Sequence, residues 1–386
     1  MAISWDDVVA RRLHRHHLST PASTPAQAVA GMCGAHAQVQ SAAEVSVAMR
    51  VAGATRATVQ EALATERSLV KTFGPRGTVH LLPAADLALW TGARCALPPE
   101  RSPFAPDVRL SPGQTDAVVG AIDDALRHAP PPSGLTVDEL TAEIVARVGS
   151  WAGDLVMPAF QTHWPRWRQA LATAADRGVL CFGLPRGRNV TYTSPALWVP
   201  GFRPLPPGEA IRSLVRSYLR SYGPATPAHM ARWLGAPAGW TATVFADMKD
   251  LADSFPAEGF LAGGFLVAGD DSFPPAQDGG VRLLPYFDAY AVGSHPRERV
   301  FPGRAAERAL NRGQAGNYPV LLVDGIAAGV WHSRRTGRRL AVTVEPLRPL
   351  SRARLADLDD QVARLGHIVG AAPTLTVGEV TAGPHA

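Results

Sequence analysis

The sequence predicts an α+β protein in which three tandem copies of one helix–helix–helix–hairpin order precede a small β-domain. Amphipathic stretches opened by N-cap residues recur through the first two-thirds of the chain. Each group of them closes on a short apolar, β-branched run beside a glycine-containing turn. Beyond residue 271 the pattern changes to short strand-like runs separated by glycine-rich turns.

The first copy spans residues 1–97. Ser4 can cap a helix over 5–17, with Asp6 and Asp7 in its first turn. Further helices are predicted over 41–51, 58–64 and 66–72, then a turn at Gly74, Pro75 and Gly77 and a strand over 78–82. In the second copy, 113–205, Thr136 caps a helix to 148, followed by a short helix over 157–163, a longer one over 164–177 and a hairpin of 179–182 with 190–193. The third copy, 206–270, has helices over 209–222, 227–234 and 238–251, the second opened by Thr226-Pro227, and a β-like run over 259–267. Proline clusters at 98–112 and 130–134 read as linkers. The repeated order is that of a winged helix, a helix-turn-helix variant. Residues 271–386 form the β-domain, with strands over 281–284, 318–323, 326–331 and 340–344 and a closing helix over 352–365.

Composition narrows the function. With 386 residues, 46% hydrophobic and 18% charged, the chain can bury large cores and is not a disordered protein. No apolar run approaches the ~20 residues of a membrane span, and the charged N-terminus offers no apolar signal core. Cys33, Cys95 and Cys181 lie far apart without CxxC pairing, which excludes a disulfide scaffold and fits a reducing cytoplasm. Lys71 and Lys249 are the only lysines among 38 basic residues. That arginine bias fits either a GC-rich genome or phosphate binding, for which arginine supplies a planar fork of donors.

The positions of the arginines separate those readings. Arg334, Arg335, Arg338 and Arg339 crowd one hairpin whose Thr-Gly suits a tight bend. Such a ribbon can enter a groove or clamp phosphates. In the second copy Arg166, Arg168 and Arg177 fall on the expected recognition helix, and Arg186 and Arg188 on its wing. Residues two apart cannot share one helix face, so the wing pair is better placed for backbone phosphates than Arg166 and Arg168. The third copy's helix has only Lys249, set against Asp247 and Asp250, and is a poor groove reader. His14, His16 and His17 lack acidic company and read as a surface helix; no metal site is expected there. His80, His229 and His295 are isolated and read as structural, and no GxxxxGK[ST], GxGxxG or HExxH occurs. Gln38 and Gln40 flank Val39 just ahead of a helix, where extended or turn geometry lets both amides face one way.

Several of these segments together resemble the AlkZ-type winged-helix DNA glycosylases, bacterial enzymes that excise alkylated bases and unhook interstrand crosslinks. Gln38-Val39-Gln40 is similar to the family's catalytic Gln-apolar-Gln, and Arg76-Gly77-Thr78-Val79-His80-Leu81 to its Arg-Gly-Thr-apolar-His stretch. Ser221–Thr226, Leu284–Tyr290 and Gly329-Val330-Trp331 are similar to later family segments, so the resemblance runs nearly the whole chain.

The resemblance implies a C-shaped, monomeric and cytoplasmic, nucleoid-associated enzyme, with duplex DNA in a basic concave channel and no metal or cofactor. It implies that Gln38 and Gln40 are catalytic and that Arg334, Arg335, Arg338 and Arg339 anchor DNA near the minor groove. Its substrates would be cationic N7-alkylguanine or N3-alkyladenine, including crosslinks, and no deep base pocket is expected. Glutamine at position 40, where broader-spectrum relatives carry aspartate, points to self-resistance against a DNA-alkylating natural product. The competing reading is a non-catalytic winged-helix DNA-binding protein, a regulator or a sequestering protein, which the neutral third helix disfavours.

Overall fold

The computed structural model describes residues 3–99, 102–129, 133–159, 162–253, 264–275 and 279–384. The chain divides into two compact units, one of Arg67–Leu214 and one of Met1–Glu66 with Val215–Ala386.

In the unit Arg67–Leu214, five strands lie in the order Val79–Pro83, Leu69–Phe73, Cys181–Phe182, Thr191–Thr193, Leu135–Thr136. The last pairing puts Leu135 opposite Tyr192. Gly134 makes it possible: its φ is 66°, and a Cβ there would sit 1.9 Å from the Tyr192 carbonyl oxygen. The helices Pro112–Arg127 and Val137–Val148 pack a core of Val118, Ile122, Leu140, Ile144, Trp167 and Tyr192. Thr136 caps the second of them in a capping box with Glu139.

Three helix expectations and one linker expectation fail in this unit. Residues 66–72 are not a helix: Arg67 has φ 52°, and Leu69–Phe73 is a strand paired with Val79–Pro83. Its β-branched and aromatic side chains suit that ladder better than a helix. The helix expected over 157–163 is not formed among the described residues either, since Leu155–Pro158 and His163–Pro165 pair as antiparallel strands. The single helix expected over 164–177 is split into that strand, a 3-10 turn at Arg166–Ala170 and a short helix at Leu171–Asp176. Trp167 fixes the split, burying its ring completely while its indole N–H donates to Thr141 Oγ1 at 2.9 Å. The helix Pro112–Arg127 begins inside the stretch read as a linker, with Ser111 as its cap. The prolines at 130–132 lie outside the described residues.

The second unit is built on a five-stranded sheet in the order Val281–Leu284, Val320–Val323, Ile326–Thr336, Arg339–Pro346, Ala372–Val377. Only the last pairing is parallel, and the helix Arg352–Val369 makes that crossover. Ser4 caps the helix Trp5–Arg15 in a capping box with Asp7, and Thr226 caps Pro227–Leu234, as the sequence predicts. The helix Ala238–Ala246 ends earlier than expected. Leu251–Asp253 and Phe265–Val267 pair after it, while 259–263 of the expected run lie outside the described residues.

The basic N-terminal stretch is surface only in part: His14 is exposed and His17 half-buried, but Arg11, Arg12 and His16 are interior. Arg12 is buried and donates from Nη1 to the His295 carbonyl at 2.6 Å and from Nη2 to that of Pro224 at 3.0 Å. Arg11 reaches Asp270 at 2.8 Å. His16 is fully buried, packed edge-on against Tyr222 and Tyr290 with ring centroids 4.7 and 5.4 Å away. Burial, then Arg50 and Arg12, hold its imidazole well below its ordinary pKa.

Candidate active site

The Gln38–Gln40 segment enters a helix with no side-chain cap. The helix is Gln40–Ala48, and Val39 precedes it in extended geometry, φ −105° and ψ 99°. Val39 is 40% exposed, and extended geometry at one residue favours its two neighbours, here Gln38 and Gln40, lying to the same side of the chain. Gln38 is exposed and Gln40 half-buried.

The two amides have different surroundings. Gln40 Nε2 donates to Glu44 Oε1 at 3.3 Å, one helical turn on. Its Oε1 is covered from solvent and has no hydrogen-bond partner among the described residues. Glu44 is itself buried, and its Oε2 accepts from Arg56 Nε at 2.8 Å and from Gln60 Nε2 at 3.1 Å. Sequence reasoning missed Glu44, Arg56 and Gln60. Their signal was the four-residue spacing within 40/44 and 56/60, which puts each pair on one helix face.

A second layer ties this helix to the Leu284–Tyr290 segment. Arg50 and Asp288 form a bidentate ion pair at 2.8 Å on both arms, and Ser46 Oγ donates to Asp288 Oδ2 at 2.7 Å. Asp288 also caps the helix Ala289–Gly293 by accepting from the Tyr290 N–H at 3.0 Å. Just before it, Phe287 stacks on His36, with centroids 4.5 Å apart. The Tyr222 hydroxyl lies 3.0 Å from the Met32 carbonyl and 3.1 Å from that of Ala289. Segments far apart in the chain therefore meet at the far end of the Gln40 helix and just after it.

The arginine hairpin is formed as expected. Thr336 pairs with Arg339 across a two-residue loop, with Gly337 at φ 58°. Arg334, Arg335, Arg338 and Arg339 are all exposed. Arg335 is the tethered one, donating from Nη1 to the Val369 carbonyl at 2.9 Å. Midway along the strand Ile326–Thr336, Trp331 Nε1 donates to the Leu284 carbonyl at 2.8 Å and anchors the ribbon to the sheet.

In the unit Arg67–Leu214 the other candidate arginines are unequal. Arg166 donates to the carbonyls of Asp107 and Val108 at 3.1 and 2.9 Å, so its guanidinium is largely committed within the fold. Arg168 lies over the Trp164 ring, 4.3 Å from its centroid. Between the strands Cys181–Phe182 and Thr191–Thr193, Arg186 is paired with Glu139, and Arg188 is exposed. In the Arg76–Leu81 segment of the same unit, Arg76 occupies the turn Pro75–Gly77 with φ 58°, and His80 Nδ1 sits 2.9 Å from the Thr78 carbonyl. Among the described residues no group of three or more His, Cys, Asp and Glu side chains is placed to hold a metal ion, and no helix is long and apolar enough to cross a membrane.

Residues 29–368 match the family model described as DNA glycosylase AlkZ-like. The chain is 32% identical over 346 residues to an interstrand DNA cross-link repair glycosylase of Streptomyces sahachiroi, covering 86% of this chain and 88% of that protein. It is also similar to the solved structure of the Streptomyces sahachiroi DNA glycosylase AlkZ, with a TM-score of 0.76 and 27% identity over 98% of this chain and 100% of the other. A family match over most of the chain, a curated relative and a shared fold converge, and the chain belongs to the AlkZ-like DNA glycosylases.

Proposed function

We infer that this glycosylase hydrolyses the N-glycosidic bond of cationic alkylpurines in duplex DNA, N7-alkylguanine and N3-alkyladenine, including bulky adducts and interstrand crosslinks. The relative named for cross-link repair supports the crosslink part of the reading. The observation that carries the chemistry is the amide pair: Gln38 exposed beside a Gln40 whose carbonyl oxygen has no partner among the described residues.

Alkylation at N7 or N3 leaves the purine positively charged. Departure neutralises it, so no general acid is required. The enzyme must hold a water against the anomeric carbon as oxocarbenium character develops, a problem shared with glycoside hydrolysis. A neutral amide is too weak a base to ionise water, but its oxygen accepts a hydrogen bond and orients the nucleophile. Positioning alone can supply ~7–11 kcal/mol in ideal intramolecular cases. Because Gln40 Oε1 is covered, this role requires its side chain to shift enough to admit one water when DNA binds. Satisfying that oxygen recovers part of the ~1–3 kcal/mol that an unmet buried acceptor costs.

In this reading the three helix–hairpin copies are winged helices on duplex DNA, and the protein acts as a cytoplasmic monomer. Arg334, Arg338 and Arg339 of the hairpin, with Arg188 on the wing, are its freest phosphate contacts; Arg335, Arg168, Arg186 and Arg166 are the more restrained. Glutamine at position 40 supports self-resistance against an alkylating natural product. Under it Gln40→Asp changes the range of adducts removed, whereas simple loss of activity on every adduct would contradict that assignment.

The test of substrate class is a gel assay on two duplexes, one carrying a single N7-alkylguanine and one an interstrand crosslink, with abasic sites revealed by alkali. The reading predicts abasic product from both. Product from neither, with duplex binding retained, would place the substrate among other lesions.

A further inference from the structure

Gln40 and Glu44 lie one turn apart on the helix Gln40–Ala48, and Arg56 and Gln60 one turn apart on Arg56–Ala64. The two polar faces meet at a single buried carboxylate. Glu44 Oε2 takes the guanidinium of Arg56, at 2.8 Å from Nε and 2.7 Å from Nη2, and the amide of Gln60 at 3.1 Å. That leaves Glu44 Oε1 for Gln40 Nε2 at 3.3 Å.

We propose that Glu44 is a positioning residue of the glycosylase reaction: it holds the NH2 end of the Gln40 amide and so fixes the carbonyl oxygen as the acceptor for the attacking water. The proposal rests on the water-positioning reading of Gln40 given above.

An amide has one donor end and one acceptor end, and only their order decides what it offers to a water. An ionised carboxylate accepts and never donates. Glu44 therefore bonds one of the two Gln40 flips; the other would set two oxygens against each other. The order is consistent with the unpartnered state of Gln40 Oε1. Arg56 makes a buried carboxylate tolerable, since an ion pair with further hydrogen bonds offsets much of the desolvation cost. Its guanidinium and Gln60 also occupy Oε2, which keeps the carboxylate from turning away. An acceptor aimed before the reaction needs no reorganisation during it.

The experiment measures single-turnover rate constants and DNA affinity on a duplex with one N7-methylguanine for Gln40→Ala, Glu44→Gln and the exchange Gln40→Glu with Glu44→Gln. In Glu44→Gln the new amide oxygen faces Arg56 and Gln60, so its NH2 points at position 40. Gln40 then turns over and presents a donor to the water. The expected rate falls by ~10–100-fold, the usual cost of losing a residue that orients a reacting group, with affinity unchanged. In the exchange variant the same NH2 donates to a carboxylate at position 40, whose second oxygen again accepts from water. Most of the lost rate should return.

A purely structural Glu44 would not produce that rescue. Glu44→Gln at the wild-type rate, or an exchange variant no faster than Glu44→Gln alone, overturns the proposal. Gln40→Ala at the wild-type rate removes the reading beneath it and is distinguishable from both. Should Glu44→Gln fail to fold, the exchange variant, which conserves charge and bond count, decides the matter: folded and active supports the proposal, folded and inactive overturns it.

Discussion

Asp288→Asn removes one charge from an enclosed ion pair while keeping its shape. The Arg50 and Asp288 side chains are both 0% exposed, and Ser46 is bonded to the same carboxylate. Arg50 Nη1 also donates to the Ser46 carbonyl at 2.8 Å, in the last turn of the helix that begins at Gln40. With asparagine opposite it, the guanidinium is a buried and uncompensated cation, and breaking such a pair costs about 3–5 kcal/mol. The amide oxygen can still accept from the Tyr290 N–H, so Asp288→Ala adds the lost helix cap, about 1 kcal/mol more. Removing both charges, as Arg50→Met with Asp288→Leu, should cost much less than either single change. Urea denaturation followed by tryptophan fluorescence and by circular dichroism measures all three, provided the two probes agree for the unit concerned. A loss below about 1 kcal/mol for Asp288→Asn, the size of an ordinary exposed pair, would refute the reasoning.

Two further outcomes follow from the site and its surroundings. Charge reversal at Arg334 or Arg338 should flatten the slope of log affinity against log salt by about 0.9 for each phosphate no longer neutralised, and Arg335→Glu by less, since Arg335 is tied to the Val369 carbonyl; equal slopes throughout would remove the hairpin from the DNA interface. Stability should fall on acidification. Burial, aided by Arg297, lowers His295 from 6.5 to about 2, and burial with Arg12 lowers its stacked neighbour His229 to about 4. The unfolded chain binds these protons first, so stability is full above pH ~6.5 and declines by up to about 1.4 kcal/mol per pH unit for each histidine, His229 ceasing to contribute below about 4. Denaturation midpoints at several pH values check this, and His295→Gln should shallow the decline; an unchanged slope would contradict it.

Local signals were legible in the sequence where they were also sufficient. Ser4, Thr136 and Thr226 each cap a helix with a partner three residues on, and the β-domain strands follow their apolar runs. Ser111-Pro112-Gly113-Gln114 carries the same kind of signal, with proline at the first helical position, but proximity to a proline cluster disguised it as linker. Strand Leu69–Phe73 could not be separated from a helix by its own residues, because its hydrogen bonds are closed by Val79–Pro83. The amide pair was visible through its spacing and its resemblance to a family, whereas the environment of those amides was not. Glu44 is one turn from Gln40, but Arg56 arrives from another helix, and Asp288 reaches Arg50 from 238 residues away. Arg12 and His16 of the N-terminal basic stretch misled for the same reason. Arg12 and His16 are buried because carbonyls and rings from distant segments enclose them.

If two neutral amides orient the water that cleaves the glycosidic bond, each is needed for the chemical step and not for binding. Single-turnover cleavage of a duplex carrying one N7-methylguanine, measured beside DNA affinity for the wild type, Gln38→Ala and Gln40→Ala, tests it most directly. Each substitution should lower the rate constant by orders of magnitude with affinity retained. A rate constant unchanged in both variants, at equal affinity, would contradict it and move the chemistry away from the Gln40 helix.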